Sequence, residues 1–131
     1  MQLSEMEGLM NTARKLIVLM GSNKKNKQKQ CIKACQDCAE ACEKAVQYHT
    51  QHPSEFSNQL INIIKDCLAY TTLMADFFER ESIFSKRVCD VGISICENCL
   101  SECNNKKEIE EITRVSQACV HCIDTCRSCL G

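Results

Sequence analysis

Apolar residues recur every three or four positions along most of the chain, in runs separated by a few helix breakers. Leu3 to Met20 forms a first amphipathic segment, which Gly21 and Ser22 are expected to end. A stretch rich in Lys and Gln, both good helix formers, then opens a longer helix from about Lys24 to Gln51, with Ser22 or Asn23 as its cap. The sole proline, Pro53, stops that helix. Because proline fits a first helical turn, a second helix is predicted from about Pro53 to Arg80. Ser82 is the expected cap of a third helix reaching Cys103. Asn105 with Glu108 makes an approximate capping box for a fourth, ending at Gly131.

The four main segments are each about 23 to 28 residues, roughly 35 to 42 Å long, and the turns between them are short. Equal lengths with short turns make neighbours antiparallel. The predicted fold is all-α: an antiparallel up-down-up-down four-helix bundle with a short additional N-terminal helix packed on one end or side. One domain is expected over 1–131, with 1–21 as the N-terminal amphipathic helix and 22–131 as the bundle.

Cysteine changes this picture. At 100° per residue, Cys31, Cys35, Cys38 and Cys42 fall within about 60° on the first bundle helix. Cys89, Cys96, Cys99 and Cys103 span about 80° on the third, and Cys119, Cys122, Cys126 and Cys129 about 80° on the fourth. Three helices therefore present a thiol face, in a loose internal repeat. Gly92 fills the vacant step between Cys89 and Cys96, where a small residue leaves room. The second helix differs: its inward stripe reads Leu60, Ile64, Cys67, Thr71, Met74, Phe78, a hydrophobic wall with one thiol. Counted from the shared turns, Cys67 lies level with Cys38, Cys96 and Cys119. Leu60, Ile109 and Ile112 are expected to close the core at the Pro53 end, with Cys31 and Cys129 at the other.

Thirteen cysteines among 131 residues would suit a disulfide scaffold in a secreted chain. The odd count, four glycines and single proline argue against a loop-rich stapled fold. The apolar run at Leu16–Met20 is short and late, with no small-residue cleavage pattern after it, so no secretory signal is expected. Reduced thiols in the cytoplasm are the inference. No apolar run approaches a membrane span. With 16 basic and 17 acidic residues the formal charge is -1, and nucleic acid is not an expected partner. The one basic cluster, Lys24, Lys25, Lys27 and Lys29, reads as a solvated helix start.

A core made mostly of small thiols lacks the Leu and Ile volume that packs a bundle without voids, so metal bonded to sulfur is expected to fill it. Thiolates without His or carboxylate on the same face are soft ligands, favouring Cu(I), Zn(II) or iron–sulfur clusters. Zinc and cubane clusters each take four ligands, commonly from loops, and suit straight stripes poorly. A thiolate bridges two Cu(I) ions, so a column of cysteines can hold many ions. At one Cu(I) per thiolate the assembly is neutral. The expected capacity is of order ten ions or more, each displacing a thiol proton. Iron–sulfur and zinc bundles are the alternatives. A di-iron oxidase is excluded by the absence of inward Glu-x-x-His pairs, and no enzyme activity is expected.

The spacings Cys31-x3-Cys35-x2-Cys38-x3-Cys42, Cys96-x2-Cys99-x3-Cys103 and Cys119-x2-Cys122-x3-Cys126-x2-Cys129 resemble those of the bacterial copper storage proteins, over about Lys24 to Gly131. The resemblance implies a cytosolic Cu(I) store, a four-helix bundle and a homotetramer. The Cys-poor second helix departs from the most Cys-rich members. No motif names the protein that delivers or receives the metal. Among secondary candidates, His49 continues the first stripe towards the Pro53 end, while His121 lies off its helix's thiol face and His52 reads as turn. Met74 stands near Cys31 and Cys129, where core packing is favoured over a part in admitting copper. Met6 and Met10, one turn apart, read as a helix-packing face.

Overall fold

The computed structural model describes residues 3–130. Four helices account for nearly all of it: α1 (Leu3–Gln51), α2 (Asn58–Glu79), α3 (Ser85–Cys103) and α4 (Glu110–Leu130). Each packs against the next and α4 returns to α1, while among the described residues the diagonal pairs α1–α3 and α2–α4 keep their backbones apart and meet through core side chains. This is the antiparallel bundle that the helix lengths and short turns predicted. No described helix is long and apolar enough to cross a membrane.

The N-terminal segment is helical, as expected, but the break at Gly21 and Ser22 does not occur: α1 runs 49 residues without interruption. A glycine inside a helix costs only about 0.5–1 kcal/mol relative to alanine. The Lys- and Gln-rich residues after it favour helix, and no proline follows to stop the chain. Residues 4–16 are exposed throughout, so this stretch extends from the bundle rather than packing on it. Met6 and Met10 are accordingly exposed.

The remaining boundaries shift by a few residues, each for a local reason. Pro53 opens a single 3-10 turn, Pro53–Glu55, rather than α2 itself. Phe56 then adopts an extended backbone and buries its ring, and Ser57 caps α2 by accepting the Leu60 N–H at 3.0 Å. At the far end of α2, Glu81 N–H donates to Phe78 O and Ser82 N–H to Phe77 O, a paired closure that places Glu81 at φ 52. Ser82 is therefore spent on this turn, accepting from Phe84 N–H, and α3 begins at Ser85. The capping box at Asn105 and Glu108 does not form either. Asn104–Lys106 is a 3-10 turn, and α4 starts at Glu110 after Ile109 has turned into the core.

The apolar core is concentrated at the Pro53 end. Leu60, Ile109 and Ile112 are buried there as predicted, joined by Ala45, Phe56, Ile64 and Val115.

Candidate metal centre

All thirteen cysteines are free thiols; twelve are buried and Cys129 alone is half-buried. The helical wheel explains why: each quartet lies on the stripe its helix turns inward. Halfway along the bundle, Cys38, Cys67, Cys96 and Cys119 bring one Sγ from each helix within 4.8 Å of one another. The gaps are 3.8 Å from Cys38 to Cys67 and to Cys119, and 3.9 Å from Cys67 to Cys96 and to Cys119. The level placement of these four, read from the turns, is met. Nearer the other end, Cys35, Cys122 and Cys126 form a second group, with Sγ separations of 3.8, 4.0 and 3.9 Å.

These groups are joined. Cys122 also meets Cys38 and Cys96, linking the triad to the four-helix layer. Cys42 and Cys99 continue from that layer, and Cys99 meets Cys103. At the opposite end Cys31 donates to Thr125 O at 3.4 Å and adjoins Cys126 and Cys129, and Cys89 donates weakly to Cys126 O. The thiols thus form one column along the bundle. Sequence reasoning missed Ser116, whose buried hydroxyl faces Cys103 but completes no hydrogen bond. Its place one turn before Cys119, on the same stripe, was the available signal.

Hydrogen bonding with Cys119 is the largest influence on Cys38 and Cys67, holding both thiols below the usual thiol range. The same bonds, that to Cys38 first, raise Cys119. Cys103 does likewise for Cys99, lowering it to about 5. Cys129 is pushed up to about 12, by burial first and then by its hydrogen bond to Cys31, with Lys27 opposing.

Nothing hard competes inside. The buried polar residues among those described are Thr71 and Ser116, with no carboxylate or histidine. Thr71 satisfies itself within α2 by donating to Cys67 O at 2.7 Å. His49 is half-buried against the Phe56 ring, 5.4 Å between centroids, and His52 stacks on Tyr48; His121 is exposed. None joins the thiols. Met74 is fully buried, and the vacancy left by Gly92 is filled by its side chain: a Cβ at Gly92 would lie 2.1 Å from Met74 Sδ. The room expected at Gly92 thus serves the neighbouring hydrophobic wall.

The sequence pattern of the family described as "Csp: Copper storage protein" matches residues 20–131, taking in every cysteine. The chain belongs to the copper storage protein family. A family relative in fold is the Cu(I)-bound copper storage protein BsCsp3, with a TM-score of 0.71 and 26% identity over 80% of this chain and 99% of that one. The metal-free copper storage protein 3 of Bacillus subtilis gives a TM-score of 0.69 and 28% identity, covering 79% and 98%. By sequence, the chain is 30% identical over 106 residues to the uncharacterized cysteine-rich protein YhjQ of Bacillus subtilis (strain 168), covering 75% of this chain and 91% of that protein. The family match stops short of most of the N-terminal helical stretch, so the part shared with the family is the Cys-lined bundle.

Proposed function

We propose that this chain is a cytoplasmic store for Cu(I), which binds many ions as thiolates of Cys31, Cys35, Cys38, Cys42, Cys67, Cys89, Cys96, Cys99, Cys103, Cys119, Cys122, Cys126 and Cys129. The observation that carries the reading is the unbroken column of free thiols without a buried acid or histidine. Cu(I) takes few ligands and prefers sulfur, so each ion can bind neighbouring thiols and share them with the next. One positive charge replaces one proton per thiolate, leaving the interior neutral at every stage of filling. Storage rather than catalysis fits thiols of which twelve are buried in the bundle. Family membership supports the same reading, and supports an assembly of several chains, which we take to be a homotetramer.

Copper reaches the column at the end where Cys129 is half-exposed, since the Pro53 end is sealed by apolar side chains. Zinc has one observation in its favour. Tetrahedral Zn–S bonds of about 2.3 Å place sulfurs about 3.8 Å apart, close to the spacing of Cys38, Cys67, Cys96 and Cys119. A single zinc there uses four of thirteen thiols and leaves the rest of the column without a role. Anaerobic Cu(I) titration of the fully reduced protein against a competing chelator decides between them. The expected result is saturation at roughly ten ions or more per chain. Saturation at one or two, or a stoichiometric zinc that Cu(I) does not displace, overturns the storage reading.

A further inference from the structure

Lys24, Lys25 and Lys27 do more than start a helix. They line an open cleft of about 500 Å³ at the unsealed end of the bundle, and the half-buried Cys129 forms part of its wall. Phe78, which is buried, supplies an apolar surface, and Gln28 is fixed across the α1–α2 junction by donating to Phe78 O at 2.6 Å. Glu81 is the one acidic residue on the lining, so three cations face one anion. The chain as a whole is near neutral, at a formal charge of -1, so this is a local concentration of positive charge around the one accessible thiol.

Free Cu(I) is a cation, which a lysine-lined mouth repels. Such a mouth attracts Cu(I) only when the ion arrives within an anion. We propose that the cleft docks Cu(I) carried as an anionic complex of a small, carboxylate-bearing thiol, and that Cys129 takes the ion from it by ligand exchange. This rests on the storage reading and adds the form in which the metal is delivered. The cleft is large enough for a peptide-sized thiol. Lysine side chains meet its carboxylates as point charges at the rim, where they remain hydrated and mobile.

The exchange balances without an oxidant or reductant. The carrier's Cu–S bond breaks as the Cu–S bond to Cys129 forms, and copper remains Cu(I). The Cys129 thiol proton passes to the departing carrier thiolate, which leaves with its sulfur protonated and its carboxylates still ionised. Cys31, which adjoins Cys129, is the next sulfur along the column, and Cys126 the one after.

The test compares initial rates of anaerobic loading of the reduced full chain from two donors: the Cu(I) complex of glutathione, rich in carboxylate, and that of cysteamine, a cationic thiol. Replacing Lys24→Glu, Lys25→Glu and Lys27→Glu together is expected to slow transfer from the glutathione complex about ten-fold or more at low salt. Transfer from the cysteamine complex is expected to stay equal or rise. A control variant with the same change in net charge, Lys44→Glu, Lys65→Glu and Lys107→Glu, alters exposed lysines that do not line the cleft. It is expected to load from glutathione within about two-fold of the wild type, as distant surface charges are screened. The proposal is overturned if the cleft variant keeps the wild-type rate with glutathione, if both donors slow alike, or if the control slows as much. Capacity by chelator titration of the wild-type protein tests storage separately, so failure of delivery and failure of storage give different results.

Discussion

The two ends of the bundle are built by the same four helices and have opposite chemistry. At the Pro53 end, Phe56, Leu60, Ile109 and Ile112 bring apolar volume together, and the 3-10 turns before α2 and α4 aim Phe56 and Ile109 inward. At the other end, Cys31, Cys89, Cys126 and Cys129 share the core with Met74 and Phe78, and a lysine-lined cleft leaves Cys129 in reach of solvent. Burying a Leu or Ile side chain stabilises by about 1.5–3 kcal/mol, while a thiol is a small hydrophobe and contributes less. The plug at the Pro53 end therefore contributes the larger share of apolar burial to the metal-free bundle, with Met74 and Phe78 adding to it at the thiol end. The thiol end has little to lose by being wet, and that is where metal can be exchanged. Bound metal adds the stability that the thiol half lacks.

That contrast can be broken by substitution, with urea unfolding of the reduced, metal-free protein as the common measure. The largest effect is expected from Ile112→Ala, which empties a fully buried site in the plug and should lower stability by about 2–5 kcal/mol. A loss below about 1 kcal/mol would mean that the plug is not the anchor. Gly92→Ala comes next, at about 1–3 kcal/mol, because its Cβ would collide with Met74 Sδ. Adding Met74→Ala should recover part of that loss, and a double-mutant cycle with no coupling would contradict the contact.

Cys129→Ser should change metal-free stability by less than about 1 kcal/mol, since the side chain is half-exposed. Its effect belongs to loading: initial Cu(I) uptake should slow several-fold, measured by stopped-flow competition with a chromophoric chelator. Equal uptake rates would place the way in elsewhere. The smallest effect is a gain. Glu81 holds φ 52, a left-handed conformation that glycine adopts freely, so Glu81→Gly should stabilise by about 0.5–1 kcal/mol. An unchanged or lowered unfolding midpoint would show that the Glu81 side chain makes a compensating contribution.

Much of the centre was legible before any coordinates. Periodicity put the cysteine quartets on three inward faces, and counting from the turns set Cys67 level with Cys38, Cys96 and Cys119, where the structure brings them together. Helix starts were less legible. Proline and capping patterns mark where a helix is allowed to begin, but burying Phe56 and Ile109 moved α2 to Asn58 and α4 to Glu110. At Gly21 and Ser22 the local signal for a stop was outweighed by the helix-forming residues after it.

The chain's own pattern therefore determined the fold class, the inward thiol stripes and the soft-donor chemistry, because these depend on residue type and helical period alone. Tertiary structure decided which thiols meet across helices, that Met74 of α2 fills the space beside Gly92, and that the lysines before Cys31 surround the one accessible thiol. Such features depend on the register between separate helices, and that register is set by how side chains from distant parts of the chain pack against one another.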